Sequence, residues 1–179
     1  GREIISANEI RIPAGRDVYV ALTATDVIHS LWVPALAGKR DMVPGRMTGL
    51  TLRADKPGVY RGQCAEYCGE QHARMALHVV AETPAAFNAW LAREREDAAA
   101  PADAFLERGR QAFIGQRCAA CHTIRGVQGN ARLGPDLTHV GSRLHIAAGT
   151  LRNHRGTLAG WIADPQSIKP GARMPAAND

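Results

Sequence analysis

The chain has 179 residues, 45% of them apolar and 22% charged, which allows one or two packed domains and excludes wholesale disorder. Aromatics are only 5%, and four cysteines are too few for a disulfide-dense scaffold. The net charge of +5 invites a nucleic-acid reading, yet residues 1–100 carry 12 basic and 12 acidic side chains while residues 101–179 carry 10 and 5, so the excess belongs to the second part. No run approaches the roughly 18 apolar residues of a membrane span, so the piece reads as soluble.

In chain order, a Pro-Ala-Gly turn precedes Val18, Val20 and Leu22 alternating with Tyr19, Ala21 and Thr23, the period of a half-buried strand. Leu50 and Leu52 repeat the pattern, and Gly58–Gln63 and Met75–Ala81 are further short strands. Pro84 opens a helix with Phe87, Trp90 and Leu91 on one face. Short strands punctuated by turns predict a sandwich or small barrel over residues 1–92. Residues 93–102 are charged, then small, then broken by Pro101, and read as a linker. From residue 103 to 179 the period changes. Asp103 caps a helix bearing Phe105, Leu106, Ala112 and Phe113, and Thr123–His154 is mostly glycine-rich basic loop. A short helix from Thr157 to Ala163 then stops at Asp164-Pro165.

The densest chemistry is Cys64-Ala-Glu66-Tyr-Cys68-Gly-Glu-Gln-His72-Ala-Arg-Met75, with His29 upstream in Asp-Val-Ile-His-Ser-Leu-Trp-Val-Pro. Soft thiolate and thioether donors select copper, zinc or iron–sulfur chemistry. A zinc site would use two cysteines and two histidines and leave Met75 idle. A blue-copper site would leave one cysteine idle, whereas a dinuclear copper site uses them all. The string resembles the CuA loop of cytochrome c oxidase subunit II, C-x-E-x-C-x-x-x-H-x-x-M. Val43-Pro-Gly-Arg46 and Pro57-Gly-Val-Tyr60 extend the likeness, which covers roughly residues 15–92. The resemblance implies that Cys64 and Cys68 bridge two copper ions, that His29 and His72 each ligate one, and that Met75 and the Glu66 carbonyl complete the set. It also implies that the Glu66 carboxylate faces a magnesium ion shared with subunit I. Nitrous oxide reductase has a similar loop, but with tryptophan where this chain has Glu66.

Cys118-Ala-Ala-Cys121-His122 has the C-x-x-C-H spacing of covalent c-type haem attachment, although a thioredoxin-like pair shares its C-x-x-C. Gly109 and Phe113 before it, Gly134-Pro-Asp-Leu137 after it and the Trp161–Pro175 segment resemble class I cytochromes c. The resemblance implies thioether bonds at Cys118 and Cys121, His122 as proximal ligand and Met174 as the sixth. Methionine opposite histidine raises the potential and suits an electron carrier. Of the remaining candidates, His78 reads as a structural histidine and His139, His145 and His154 as solvent-facing. Met42 and Met47 read as packing residues, and Trp32 as core or as a support for His29.

The expected fold is an all-β cupredoxin-like Greek-key sandwich followed by an all-α cytochrome c domain. The expected function, implied by the two resemblances, is delivery of electrons in a caa-type oxidase: from a donor through haem c to CuA and on to subunit I, where oxygen is reduced. The two modules hold no general base, nucleophile or oxygen-reducing centre, so alone they should transfer electrons without consuming oxygen. The alternatives are a nitrous oxide reductase-like module and a free copper/haem redox carrier. Subunit I, other membrane subunits and a small redox protein, acidic to suit the basic haem domain, are the expected partners, and nucleic acid is not. The resemblances further imply membrane helices and a strand ahead of Gly1, and a helix after Asp179. Both domains are expected on the periplasmic or outer face of a bacterial membrane.

Overall fold

Alternation sets the first sheet: Ile10 and Ile12 point one way from the strand Glu9–Pro13 (β1), and Glu9 and Arg11 the other. The structure, a computed structural model, describes residues 3–177. Val18–Leu22 (β2), His29–Trp32 (β3), Arg40–Met42 (β4), Thr48–Leu52 (β5), Gly58–Cys64 (β6) and Ala76–Glu82 (β7) follow. One sheet runs β1-β7-β6-β3-β4, with β1 parallel to β7, and β2 pairs with β5 in the second. Between them lies an apolar core of Ile12, Leu22, Leu31, Val33, Leu52, Ala54, Val79 and Ala81. Met42 packs against this core, whereas Met47 is 66% exposed. Trp32 is 41% exposed at the end of β3 and therefore lies outside the core. This is the cupredoxin-like half.

The helix Pro84–Glu94 (α1) begins where the Thr83 side chain caps the Ala86 N–H and proline occupies the first turn. It lies against β1 and β7, with Trp90 under the Arg11 guanidinium at 5.4 Å. The stretch after it is pinned: Arg125 donates to the carbonyls of Glu94 and Glu96, and His139 meets the Glu96 carbonyl at 3.0 Å.

The helical half comprises Ala104–Gly115 (α2), Arg155–Ala163 (α3) and Pro165–Ile168 (α4), with a hairpin of His145–Ile146 (β8) and Leu151–Arg152 (β9) inside the long loop. Asp103 accepts from the Leu106 N–H and caps α2 as its sequence position predicts. Asp164-Pro165 ends α3 but also starts α4, because Asp164 caps Ser167 and proline suits a first turn. His154 is exposed, as expected, and also caps α3 by accepting from the Thr157 N–H. Phe105 and Leu106 are 60% and 49% exposed, with Arg108 and Arg155 over the Phe105 ring.

The two halves meet on the outer face of the five-stranded sheet. Glu9 is buried, with Oε1 on Arg11 and Oε2 accepting the Leu144 N–H. His145 stacks on buried His78 with centroids 3.8 Å apart, so it does not face solvent. The Ala76 N–H donates to the Ala148 carbonyl.

Candidate functional site

The copper-type loop is closed at its base by a Cys64 N–H to Met75 carbonyl bond of 2.9 Å, which continues the β6–β7 ladder. Gly69 adopts a left-handed φ of 107°, and the His72 N–H returns to its carbonyl at 3.0 Å. That turn brings His72 back over Cys68. His29 arrives from β3, whose Leu31 pairs with Cys64.

The donor atoms converge. The Sγ atoms of Cys64 and Cys68 are 3.8 Å apart, and neither cysteine is in a disulfide. His29 Nδ1 lies 3.9 Å from Cys64 Sγ, and His72 Nδ1 lies 3.6 Å from Cys68 Sγ. Met75 Sδ is 3.9 Å from Cys68 Sγ, and the Glu66 carbonyl is 3.3 Å from Cys64 Sγ. Two donors about 2.0–2.3 Å from one tetrahedral ion sit roughly 3.3–3.8 Å apart, so these spacings suit ions held between the donors. His29, Cys64 and Cys68 form a metal-capable cluster among the described residues. Each cysteine faces its own imidazole while the two sulfurs face each other, an arrangement that suits a thiolate-bridged pair better than one closed mononuclear site.

Electrostatics differ at the two sulfurs. Burial pushes the Cys64 thiol up, but contacts with the Ser30 and Glu66 backbone, His29 and His72 outweigh it and hold the thiol at about 7. Burial and the neighbouring Cys64 push Cys68 up to about 11. Asp26 Oδ1 lies 2.9 Å from His29 Nε2 and so orients the ring with Nδ1 inward, a support the sequence reading did not single out. Its signal was available as the carboxylate three positions before His29. The Glu66 carboxylate is half-exposed and 3.2 Å from Lys39 Nζ.

In the second site a three-residue turn, Cys118–Ala120, places Cys118, Cys121 and His122 together, with the His122 N–H on the Cys118 carbonyl at 3.0 Å. His122 Nδ1 is 2.8 Å from the Pro135 carbonyl, which leaves Nε2 for a metal. A Cβ on Gly134 would fall 2.4 Å from His122 Cε1, so the ring fits only beside a residue without a side chain. Two accessible thiols and an imidazole oriented through its other nitrogen suit covalent haem. Met174 is half-buried on the loop after α4, with its carbonyl accepting from Gln166. Among the described residues no hydrogen bond or ring contact joins its side chain to His122.

Comparison with known proteins gives both halves a family. Residues 2–82 match the family described as cytochrome c oxidase subunit II, periplasmic domain, and residues 106–179 match cytochrome c. The cytochrome c oxidase subunit 2 of Alkalihalophilus pseudofirmus is 41% identical over 174 residues, covering 97% of this chain and 50% of that protein. The subunit 2 of Bacillus sp. strain PS3 is 33% identical over 182 residues, covering 96% and 50%. A solved periplasmic domain of oxidase subunit II from Bradyrhizobium japonicum has a TM-score of 0.48 and 29% identity, covering 51% of this chain and 74% of that one. The chain thus spans about half the length of the curated relatives it matches. A subunit II periplasmic domain implies copper, and a cytochrome c domain implies haem. With a cupredoxin-like half, a helical haem-type half and relatives aligned across both, the chain belongs to the cytochrome c oxidase subunit II family, in its form extended by a cytochrome c domain.

Proposed function

We propose that this chain is the electron-accepting module of a terminal respiratory oxidase, taking electrons from a small redox protein and handing them to subunit I for oxygen reduction. The observation that carries the reading is the paired geometry of the copper-type loop, two sulfurs 3.8 Å apart with one imidazole on each, in a chain that also holds a C-x-x-C-H turn. In this reading the domains are residues 1–92 and 103–179, joined by 93–102.

Cys64 and Cys68 would bridge two copper ions, with His29 and His72 as terminal ligands and Met75 and the Glu66 carbonyl as weaker ones. Copper in that setting supplies a one-electron couple whose charge is shared between two metals. The chain holds the donors in a loop closed by backbone bonds and fixes the His29 ring through Asp26, so little needs to rearrange when an electron arrives. Cys118 and Cys121 would carry haem c, and His122 and Met174 would be the residues that ligate its iron. Pro135 fixes the His122 tautomer and Gly134 leaves room for its ring. The Glu66 carboxylate would face a magnesium ion shared with subunit I, after Lys39 lets it go. The full protein would be anchored in the bacterial cytoplasmic membrane, with both domains on its outer face. No helix among the described residues is long and apolar enough to cross a membrane.

Rapid mixing of the copper- and haem-loaded chain with a reduced small redox protein tests the reading. Haem absorbance should change first and copper absorbance second, with no oxygen consumed by the chain alone. Copper reduction that bypasses the haem would contradict it.

A further inference from the structure

The haem-type half touches the copper-type loop on both sides of its ligands. On one side, Gln71 Nε2 donates to the carbonyl of Pro170, joining the residue before His72 to the segment that leads into Met174. On the other, the Ala76 N–H, next to Met75, donates 3.0 Å to the Ala148 carbonyl. Ala148 sits in the β8–β9 turn, where Ala147, Ala148 and Gly149 all hold left-handed φ values of 53°, 54° and 77°. Non-glycine residues in that region are strained and persist where their surroundings over-determine them. Here the surroundings include the copper-type domain: a Cβ on Gly149 would fall 2.9 Å from Ala76 Cβ.

The Gln71 contact is specific in its chemistry. Gln71 Oε1 is buried with no hydrogen-bond partner among the described residues, and the donor end of the amide points to Pro170. An acceptor there would face the Pro170 carbonyl, oxygen against oxygen. Gly171, the next residue, has a φ of 81°, and a Cβ on it would fall 2.5 Å from the Glu70 carboxylate. The methionine segment therefore runs beside the Glu70 side chain of the copper-type loop, with a left-handed glycine at the contact.

Resting on the proposed copper and haem assignments, we infer that Gln71 is a positioning residue for electron transfer between the two centres, clamping the Met174 segment to the His72 end of the copper loop. The step it serves is a one-electron transfer: haem iron goes from ferrous to ferric, the copper pair gains one electron, and no bond or proton moves. Gln71 touches neither centre; it fixes the path His72–Gln71–Pro170–Met174 in one geometry, and loss of the contact would lengthen the through-space part of that path.

The test compares wild type, Gln71→Glu and Gln71→Ala in the loaded full chain. One readout is photo-initiated haem-to-copper transfer, with a ruthenium photosensitiser and a sacrificial amine as reductant. The second is amide hydrogen exchange at residues 169–174, which needs no copper. Both variants should slow transfer severalfold and raise exchange across 169–174, while copper spectra, both midpoint potentials and the melting temperature stay unchanged. Unchanged exchange would show that the clamp does not exist, and raised exchange with an unchanged transfer rate would show that it does not position the path; either result overturns the inference. Failure to load copper or haem in the wild type would instead overturn the assignments beneath it, and the exchange data would still report on the clamp.

Discussion

Asp26 Oδ1 lies 2.9 Å from Nε2 of His29, and that one contact turns the other nitrogen of the ring to Cys64 Sγ at 3.9 Å. Burial pulls the His29 pKa down, but Asp26 and Cys64 outweigh it and the net shift is upward. A carboxylate behind an imidazole fixes its tautomer and orientation, and removing such supports costs about 10–100-fold in metal affinity. Asp26→Ala should therefore weaken copper retention by that factor while leaving the fold intact, because Asp26 is 62% exposed. Competition with a chelator of known affinity measures it. Undiminished affinity would make the contact incidental.

Gly134 makes a matching prediction at the other site. Its substitution by alanine would set a methyl group 2.4 Å from His122 Cε1. Overpacking of this kind costs about 1–3 kcal/mol, and here the ring must tilt off the Pro135 carbonyl. Gly134→Ala should lower the Soret absorbance per chain and the haem domain's melting temperature, and a wild-type Soret band would reject the crowding argument.

The stacked pair across the domain boundary gives a pH dependence. Burial lowers the pKa of His78 below the ordinary 6.5, helped by His145 and Arg61 and opposed by Glu9. Burial also lowers His145, helped by Arg152 and Arg61 and opposed by Glu9. Each histidine binds fewer protons docked and folded than unfolded below pH 6.5. Its contribution to stability is therefore complete above that value and falls as the pH drops toward the lowered one. Melting should fall from pH 7.5 to pH 5.5, and less steeply in His78→Gln. Equal slopes in the two proteins would place the proton uptake elsewhere.

The five excess positive charges lie on residues 101–179, and Arg108, Arg117 and Arg155 are exposed there. An acidic redox protein should reduce the haem more slowly as salt rises, since screening shortens the field to about 8 Å at physiological ionic strength. Stopped-flow rates from low to high salt report this, and a rate that is flat or rising would show that the basic face does not steer the donor.

Residue spacing made the two candidate clusters legible, because a C-x-x-x-C-x-x-x-H-x-x-M loop and a C-x-x-C-H turn are local patterns, each carried within one turn-rich segment. The cap at Asp103 and the strands β2, β5, β6 and β7 were legible for the same local reasons. Features made by docking were not. His145 looks solvent-facing in a basic loop and becomes half-buried only because it stacks on His78. Glu9 and Arg11 give β1 a polar side, yet Glu9 is buried because Leu144 and Arg11 satisfy it. The β8–β9 hairpin has two residues per strand, too few for any period to register. Gln71 carries no motif at all; its meaning depends on Pro170, far along the chain.

Metal and haem stoichiometry of the purified, loaded chain tests the central claim most directly. Two copper ions and one covalently attached haem per chain, with the optical bands of a mixed-valence copper pair, are the predicted result. A single zinc ion or a Cys64–Cys68 disulfide at the loop, or haem released by mild denaturation, would contradict it.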